Sequence, residues 1–354
     1  MPHEDDIRVK RIIRDIGQID DLKLRVFDRS SDDNRLWNDG GLTFTYQGLI
    51  YGSNDGAWYR EIPWFIDGVK KSDQKPIIVV EGTFGPEVGN TGSAQYARFS
   101  HVLGAALNGI IAVYFIPHNA VYGNNHVKWR WDLVLACVNA SKTCSGKILM
   151  IDAYFPEKLE ELVKIFSEKN EERMKNIIHN HLYEMEKYAV HQFRLINESP
   201  YIGSKDLEIK DEEILLLANN KRRYYAYLSE NSIGKIMMFN KRAFTDASQR
   251  NGHTILGDAL LHRYLFRRNV DLIFPRFNDE DIIYLDSRNS KEWKILRTRQ
   301  DINIITIDQI DFENQKLLKQ IKEIRETRSI ASLKNDLIIQ LKEGIRNGSI
   351  SINK

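Results

Sequence analysis

Residues 62–83 read IPWFIDGVKKSDQKPIIVVEGT, and this stretch decides the fold. It contains two apolar runs joined by a polar turn, and each run ends in a carboxylate, Asp67 in the first and Glu81 in the second. The second run is short, continuous and β-branched, which is typical of a strand buried on both faces of a sheet. We expect adjacent strands to place the two acids side by side.

A carboxylate at the end of a buried strand is unfavourable unless another group compensates its charge. A divalent cation provides that compensation, and hard oxygen ligands suit Mg²⁺. Asp67 and Glu81 are therefore the predicted metal ligands. The alternative is that both acids only mark the ends of strands and face solvent.

The elements around this stretch predict a mixed α/β core. In chain order we expect helix 5–27, strand 42–51, strand 58–69, strand 76–81, helix 93–107, strand 110–116, helix 131–145 and strand 147–153. The order from the start is thus helix, three strands, helix, strand, followed by a further helix and strand.

Composition excludes several classes of protein. The 354 residues are 42% hydrophobic and 28% charged with a net charge of +2, which argues against a disordered chain, a fibrous chain or a polycation. Two cysteines are too few for a disulfide framework or a four-thiolate zinc site. Because no signal peptide and no membrane-spanning apolar segment is evident, the expected location is the cytoplasm, without a membrane partner.

The order of elements, with Asp67 on the second strand and Glu81 on the third, resembles the PD-(D/E)XK nuclease superfamily. That family includes most type II restriction endonucleases, and the resemblance covers roughly residues 5–117. It implies a restriction-endonuclease-like mixed sheet flanked by helices, with Mg²⁺-dependent hydrolysis of phosphodiester bonds that leaves 5′-phosphate ends. Residues 1–155 would form the catalytic core, and residues 156–354 a helical and mixed α/β region for DNA recognition and dimerisation.

The family's usual catalytic lysine lies two residues after the glutamate, and this position is Thr83. We include Thr83 among the predicted catalytic residues, although it leaves the positive charge unassigned. Lys70 and Lys71, in the turn between the two acids, are candidates for that charge and for DNA contacts. A side chain from the following helix is the other candidate.

The helix after Glu81 contains GSAQYARFSH, residues 92–101. Gln95 and Arg98 lie three residues apart and share one helix face. By the family resemblance, Gln95 and Arg98 would contact the scissile phosphate or the attacking water. The alternative is an ordinary solvated helix face.

Basic residues are interleaved with aromatic residues between 221 and 268. Within this region Gln249, Arg250 and Asn251 precede a predicted helix, and side chains of these types read base edges in DNA. DNA contacts are expected in this region, the alternative being a solvated surface.

These observations predict a Mg²⁺-dependent, sequence-specific double-stranded DNA endonuclease of the type II restriction class. Cutting both strands of a palindrome requires two copies of the site, so the expected assembly is a homodimer. Two alternatives stay open. One is a non-catalytic DNA-binding protein with a nuclease-like fold, and the other is a carboxylate-pair hydrolase of another substrate, such as a carbohydrate.

Overall fold

The computed structural model describes residues 4–27, 43–66, 68–84, 93–122, 125–196, 208–220, 225–245, 251–313, 315–324 and 331–353. Contacts divide the chain into two compact units, Met1–Leu207 and Glu208–Lys354. Within the described ranges, each helix is too short or too polar to cross a membrane.

The elements of the first unit follow one another in a fixed order. They are α1 (Glu4–Ile16), β1 (Lys23–Val26), β2 (Thr43–Tyr46), β3 (Leu49–Ser53), β4 (Gly56–Arg60), β5 (Trp64–Ile66), β6 (Val69–Ser72), β7 (Lys75–Gly82), α2 (Ser93–Ala97), α3 (Phe99–Leu107), β8 (Ile111–Ile116), β9 (Asn119–Tyr122), β10 (Asn125–Lys128), α4 (Trp131–Thr143), β11 (Lys147–Asp152), α5 (Pro156–Ser167) and α6 (Glu171–Ile196).

Five strands of this unit form one mixed sheet in the order β1-β4-β7-β8-β11. The β1–β4 and β4–β7 pairs are antiparallel, whereas the β7–β8 and β8–β11 pairs are parallel. Three two-stranded hairpins, β2–β3, β5–β6 and β9–β10, stand apart from this sheet. The predicted mixed α/β class is confirmed.

Helices cover both faces of the five-stranded sheet. Side chains of α1 and α5 pack on one face in a core cluster that includes Ile78 and Val80 of β7. Successive side chains of a strand point to opposite faces, so Val79 and Glu81 lie on the other face, where α3 contacts β7 and β8. Because both faces are covered, β7 is almost entirely apolar, as its sequence predicts.

Four predicted elements differ from the observed ones, and one of them, helix 93–107, is divided at Arg98 into α2 and α3. The predicted helix 5–27 is wrong in its second half, because Gly17 takes a positive φ of 71° and ends α1, after which β1 begins. The predicted strand 42–51 is a hairpin, since Gln47 and Gly48 both have positive φ and turn the chain between β2 and β3. The predicted strand 58–69 is divided between β4 and β5.

The two compact units divide later than the predicted boundary at 155/156. Helix α6 packs against α4 and β11, and α5 packs against β11. The helical region after residue 156 therefore belongs to the first unit through its contacts, since its apolar face is buried on the sheet and on α4.

The second unit has its own core and its own sheet. Its elements are α7 (Asp211–Asn220), β12 (Tyr225–Leu228), β13 (Ser232–Ile236), α8 (Arg242–Thr245), α9 (Asn251–Phe266), β14 (Asn269–Phe274), α10 (Asp279–Asp286), α11 (Lys291–Thr298), β15 (Ile302–Thr306), β16 (Ile310–Phe312), α12 (Gln315–Ile324), α13 (Ala331–Asn347) and β17 (Ile350–Ile352), with one turn of 3-10 helix at Ile307–Gln309. The sheet order is β12-β13-β14-β15, antiparallel in the first pair and parallel in the others.

At Gly146 the connection between α4 and β11 packs closely against the end of α3. We therefore expect a larger side chain at this position to destabilise the protein. A Cβ atom at Gly146 would lie 2.2 Å from the carbonyl oxygen of Ile110 and 2.7 Å from that of Ala106, so the backbone would have to move. We expect Gly146→Ala to lower the free energy of unfolding by about 2–3 kcal/mol, measured by urea denaturation. The exposed neighbour Ser145 is the control, and Ser145→Ala is expected to change stability by less than about 0.5 kcal/mol. Equal stability of the two variants would contradict the observed packing.

Candidate active site

Asp55 and Glu81 are brought together by the pairing of β4 with β7. The antiparallel register pairs Gly56 with Val80, the residues next in sequence to Asp55 and Glu81. Asp55 donates its backbone N–H to the Val80 carbonyl at 2.8 Å, so Asp55 lies beside the end of β7. Both carboxylates are buried, with exposed fractions of 6% for Asp55 and 1% for Glu81. Two acids in such surroundings repel each other unless nearby groups compensate them.

The surroundings of Asp55 favour its protonated form. Burial, followed by the neighbouring charge of Glu81, raises the pKa of Asp55 to about 8. Three groups lower the pKa of Asp55, but by less than burial and Glu81 raise it. They are the Arg98 charge, the Gly82 N–H and the Lys10 charge. The Gly82 N–H donates to Oδ2 of Asp55 at 2.9 Å, and Lys10 Nζ lies 3.9 Å from Oδ1. Asp55 is therefore largely neutral at pH 7 in this structure.

The surroundings of Glu81 favour its ionised form. Burial alone would raise the pKa of Glu81, but the charges and contacts of His101 and Arg98 outweigh burial, and the pKa is lowered. Arg98 Nη1 donates to Oε1 of Glu81 at 2.7 Å, and His101 Nδ1 lies 3.2 Å from the same oxygen. The pair thus consists of one neutral acid and one carboxylate, as expected of two acids in close contact.

The two partners of Glu81 come from the start of α3. Arg98 directly precedes α3, His101 lies in its first turn, and the His101 N–H donates to the Arg98 carbonyl at 3.0 Å. The His101 ring packs on Gly52 of β3, where a Cβ atom would lie 2.0 Å from a ring carbon. Since Gly52 also takes a φ of 145°, glycine is required there for two reasons. The β2–β3 hairpin therefore helps to hold His101 against Glu81.

Thr83 lies beyond the end of β7 with only 2% of its surface exposed, and its N–H donates to the Phe115 carbonyl at 3.2 Å. It shares a face with Glu81, since the two residues are two positions apart in extended chain. Thr83 carries no charge, and the cation nearest Glu81 comes instead from Arg98. This agrees with the predicted option of a side chain from the following helix.

Gln95 is fully buried in α2, and neither polar atom of its side chain has a hydrogen-bond partner in the part of the chain that the structure describes. Its backbone carbonyl accepts a hydrogen bond from the Tyr114 hydroxyl, and Tyr114 is the β8 residue paired with Glu81. α2 is thus anchored on the strand next to Glu81. The predicted alternative of a solvated helix face does not hold for Gln95.

Lys70 and Lys71 lie in β6, which pairs with β5 in a hairpin apart from the five-stranded sheet. Lys70 Nζ lies 2.6 Å from Oδ1 of Asp73. That Lys70 or Lys71 supplies positive charge to the site stays a prediction, whereas the cation in contact with Glu81 is Arg98. Both lysines are exposed, and their contact with DNA stays a prediction.

Four other predicted site residues have no described side chain. Asp67, Gln249 and Arg250 lie outside the described residues, and Asn251 is the first residue of α9, without a described side chain. The expectation that the run ending at Asp67 pairs with the run ending at Glu81 is wrong. The residues that flank Asp67 belong to the β5–β6 hairpin, whereas β7 pairs with β4.

Asp55 escaped prediction because it lies in GSNDG, residues 52–56, which has the composition of a turn. The feature of the sequence that could have identified Asp55 is its position just before β4. In an antiparallel pair the end of one strand lies beside the start of the other, so the partner of an acid at the end of β7 belongs at the start of the preceding strand.

Comparison of the chain with protein-family models, with curated proteins and with solved structures found no match.

The raised pKa of Asp55 predicts a pH dependence of stability. The folded chain keeps a proton on Asp55 up to about pH 8, whereas the unfolded chain releases it near the ordinary aspartate pKa of 3.8, so stability falls as pH rises through this window. We expect the free energy of unfolding to fall by on the order of 2 kcal/mol or more between about pH 5 and about pH 8.5. Urea unfolding at a series of pH values measures this change.

Asp55→Asn is the matched variant, because it cannot ionise and keeps an oxygen for the Gly82 N–H. Its stability should depend less on pH over this window. The lowered pKa of Glu81 acts only at the acid end, where stability is lost as pH falls through that pKa. Parallel profiles for the wild type and Asp55→Asn between about pH 5 and about pH 8.5 would contradict the environment described for Asp55.

Proposed function

We propose that this protein is a Mg²⁺-dependent endonuclease acting on double-stranded DNA, with a restriction-endonuclease-like core. The observation that carries the proposal is the buried pair of Asp55 and Glu81, at the start and the end of adjacent antiparallel strands. The sheet strands and helices around the pair follow the order α1, β1, β4, β7, α3, β8, which is helix, three strands, helix, strand. This order and this placement of the acids support the same family that the sequence resembles.

The donor set fits a magnesium ion. Mg²⁺ is commonly held by one or two carboxylates, together with water and substrate phosphate. Both contacts from Arg98 and His101 are made to the same oxygen of Glu81, Oε1. When bound, Mg²⁺ would supply a Lewis acid that polarises the phosphodiester and lowers the pKa of water. Asp55 and Glu81 would hold the ion, with Asp55 in the proposal taking the place predicted for Asp67.

Arg98 takes the role that the resemblance assigns to a lysine two residues after the glutamate. His101 and then Arg98 lower the pKa of Glu81, and the Arg98 guanidinium places a fixed positive charge beside the carboxylate pair. A positive charge in a buried site stabilises the negative charge that develops on a phosphate in the transition state. In this proposal Asp55 would release its proton to solvent, so that its carboxylate could hold the ion.

We also propose, as the sequence predicts, that the enzyme recognises a specific DNA sequence and acts as a homodimer. The product ends would carry 5′-phosphates, and a homodimer would present one site to each DNA strand. The second unit, Glu208–Lys354, would contribute to DNA recognition through the region around Asn251.

A second candidate is a DNA-binding protein that has this fold and does not cleave. The observation in its favour is that Arg98 and His101 already compensate the buried charge of Glu81 without a metal ion. Incubation with plasmid DNA and Mg²⁺ separates the two candidates. Discrete fragments that disappear with EDTA support the nuclease, whereas a salt-sensitive gel shift without cleavage supports the second candidate.

Substitution of the acids tests which residues form the site. We expect Asp55→Asn and Glu81→Gln each to lower the rate of DNA cleavage by about 10²-fold or more, because each removes a negatively charged ligand oxygen. DNA binding in EDTA, measured by fluorescence anisotropy, should persist. The matched control is Asp67→Asn, which is expected to cleave at the wild-type rate. Loss of cleavage in Asp67→Asn with full activity in Asp55→Asn would overturn the assignment of Asp55.

Arg98 gives a separate test of the proposed cation. Arg98→Met should lower the cleavage rate by about 10²-fold, while Arg98→Lys should recover part of that loss because it restores the charge without the planar guanidinium. Cleavage is measured on one plasmid at saturating Mg²⁺. A rate in Arg98→Met equal to that of the wild type would show that the charge is supplied elsewhere.

A further inference from the structure

The carboxyl ends of three parallel strands lie along one edge of the five-stranded sheet. Strands β7, β8 and β11 run in the same direction, with Gly82 paired to Phe115 and Phe115 paired to Ile151. Glu81 lies at this edge on β7. Ligands of α/β sheets bind preferentially at such an edge, so the residues that follow β8 and β11 are placed to meet whatever binds at Glu81.

Helix α1 connects the carboxylate pair to this edge. Lys10 of α1 reaches toward Asp55, and Arg8, two residues earlier, places its guanidinium 3.7 Å from the ring centroid of Phe84. Phe84 comes three residues after Glu81. Arg8 and Lys10 lie on opposite flanks of α1, with Lys10 at Asp55 and Arg8 over Phe84.

Two exposed aromatic residues follow β11 at the same edge. The ring of Tyr154 contacts that of Phe84 edge to face, with 6.2 Å between centroids. The exposed fractions are 38% for Tyr154 and 45% for Phe155. Asp152 holds this segment in place, because its Oδ1 accepts the Tyr154 N–H at 3.1 Å and its carbonyl accepts the Phe155 N–H at 2.9 Å. Rings held by such contacts lose little further freedom when they bind a partner.

Lysine side chains complete this surface. Lys158, in the first turn of α5, is exposed and places its Nζ 5.1 Å from the ring centroid of Phe155. Lys128, at the end of β10, and Lys158 both lower the pKa of His118 after the larger effect of burial, so both lie close to the end of β8. Glu157 is an exposed acid beside Lys158, and it leaves the local charge positive.

We propose that Arg8, Tyr154, Phe155 and Lys158, here called the edge strip, bind DNA next to the carboxylate pair, with the buried ring of Phe84 beneath Arg8 and Tyr154. This inference rests on the proposed function and names a substrate-binding surface in the first unit. Alternating cations and aromatic rings suit nucleic acid, because cations bind phosphates while exposed rings stack on bases or sugars. The strip is continuous with Asp55 through α1, and it lies outside the region between residues 221 and 268 where the sequence predicts DNA contacts.

The test uses the full-length protein and a fluorescent DNA duplex, with EDTA present so that no cleavage occurs. Binding is measured by anisotropy over a series of salt concentrations. Lys158→Ala should weaken binding about threefold or more and make the salt dependence shallower by about one ion, because one phosphate contact is lost. Phe155→Ala should weaken binding about fivefold or more without changing the salt dependence, because the lost contact is uncharged.

Lys164→Ala is the matched control, since Lys164 is another exposed lysine of α5 and pairs with Glu160 at 2.6 Å. It is expected to bind DNA as the wild type does. Binding by Lys158→Ala and Phe155→Ala that equals binding by Lys164→Ala overturns the edge strip. Weaker binding to poly-glutamate by Lys158→Ala, with unchanged binding to DNA, also overturns it in favour of an acidic protein partner.

Cleavage with Mg²⁺ is followed in parallel, so that the two proposals fail separately. If the wild type cuts DNA while the strip variants bind like the control, the strip is wrong and the nuclease stands. If the strip variants lose binding while the wild type never cuts, the strip stands and the nuclease falls. Absence of DNA binding by the wild type overturns both.

Discussion

The antiparallel pairing of β4 with β7 is the constraint from which the candidate site follows. It puts Asp55 against Glu81 where water is excluded, and two acids so placed cannot both carry a charge without help. The helices on the two faces of the sheet supply that help. Lys10 approaches from α1 on one face, while Arg98 and His101 approach from α3 on the other. The position of each helix is therefore tied to the same pair of side chains.

The β2–β3 hairpin supports this arrangement from outside the sheet. His101 packs on Gly52, and Tyr51 packs on Gly104 of α3, where a Cβ atom would lie 2.6 Å from that of Tyr51. The two glycines let helix and hairpin approach more closely than larger residues would allow. The segment 42–51, which the sequence predicts as one strand, thus supports α3, the helix that directly follows Arg98 and contains His101. Close packing of this kind keeps charged side chains at fixed positions with little loss of conformational entropy on binding.

The sequence predicts the centre of the first unit well and its beginning poorly. The β-branched run of β7 is confirmed, and the helix after it is confirmed apart from its division at Arg98, because burial on two faces and a helical period leave strong local patterns. β1 was concealed, since KLRV is short and only half buried and continues the polar pattern of α1. Asp55 could not be found from composition, because local sequence does not reveal which end of one strand lies beside its neighbour. That information is in the long-range pairing.

The β5–β6 hairpin lies between the two acids in sequence but at the far end of the strands that carry them. Additional or missing residues there would change the interval between Asp55 and Glu81 without moving either side chain, since long surface connections add little free energy. During evolution, the number of residues between Asp55 and Glu81 can therefore change while the two side chains stay close together. A search pattern for related sites is better defined by strand order and the register of the facing residues than by a fixed spacing.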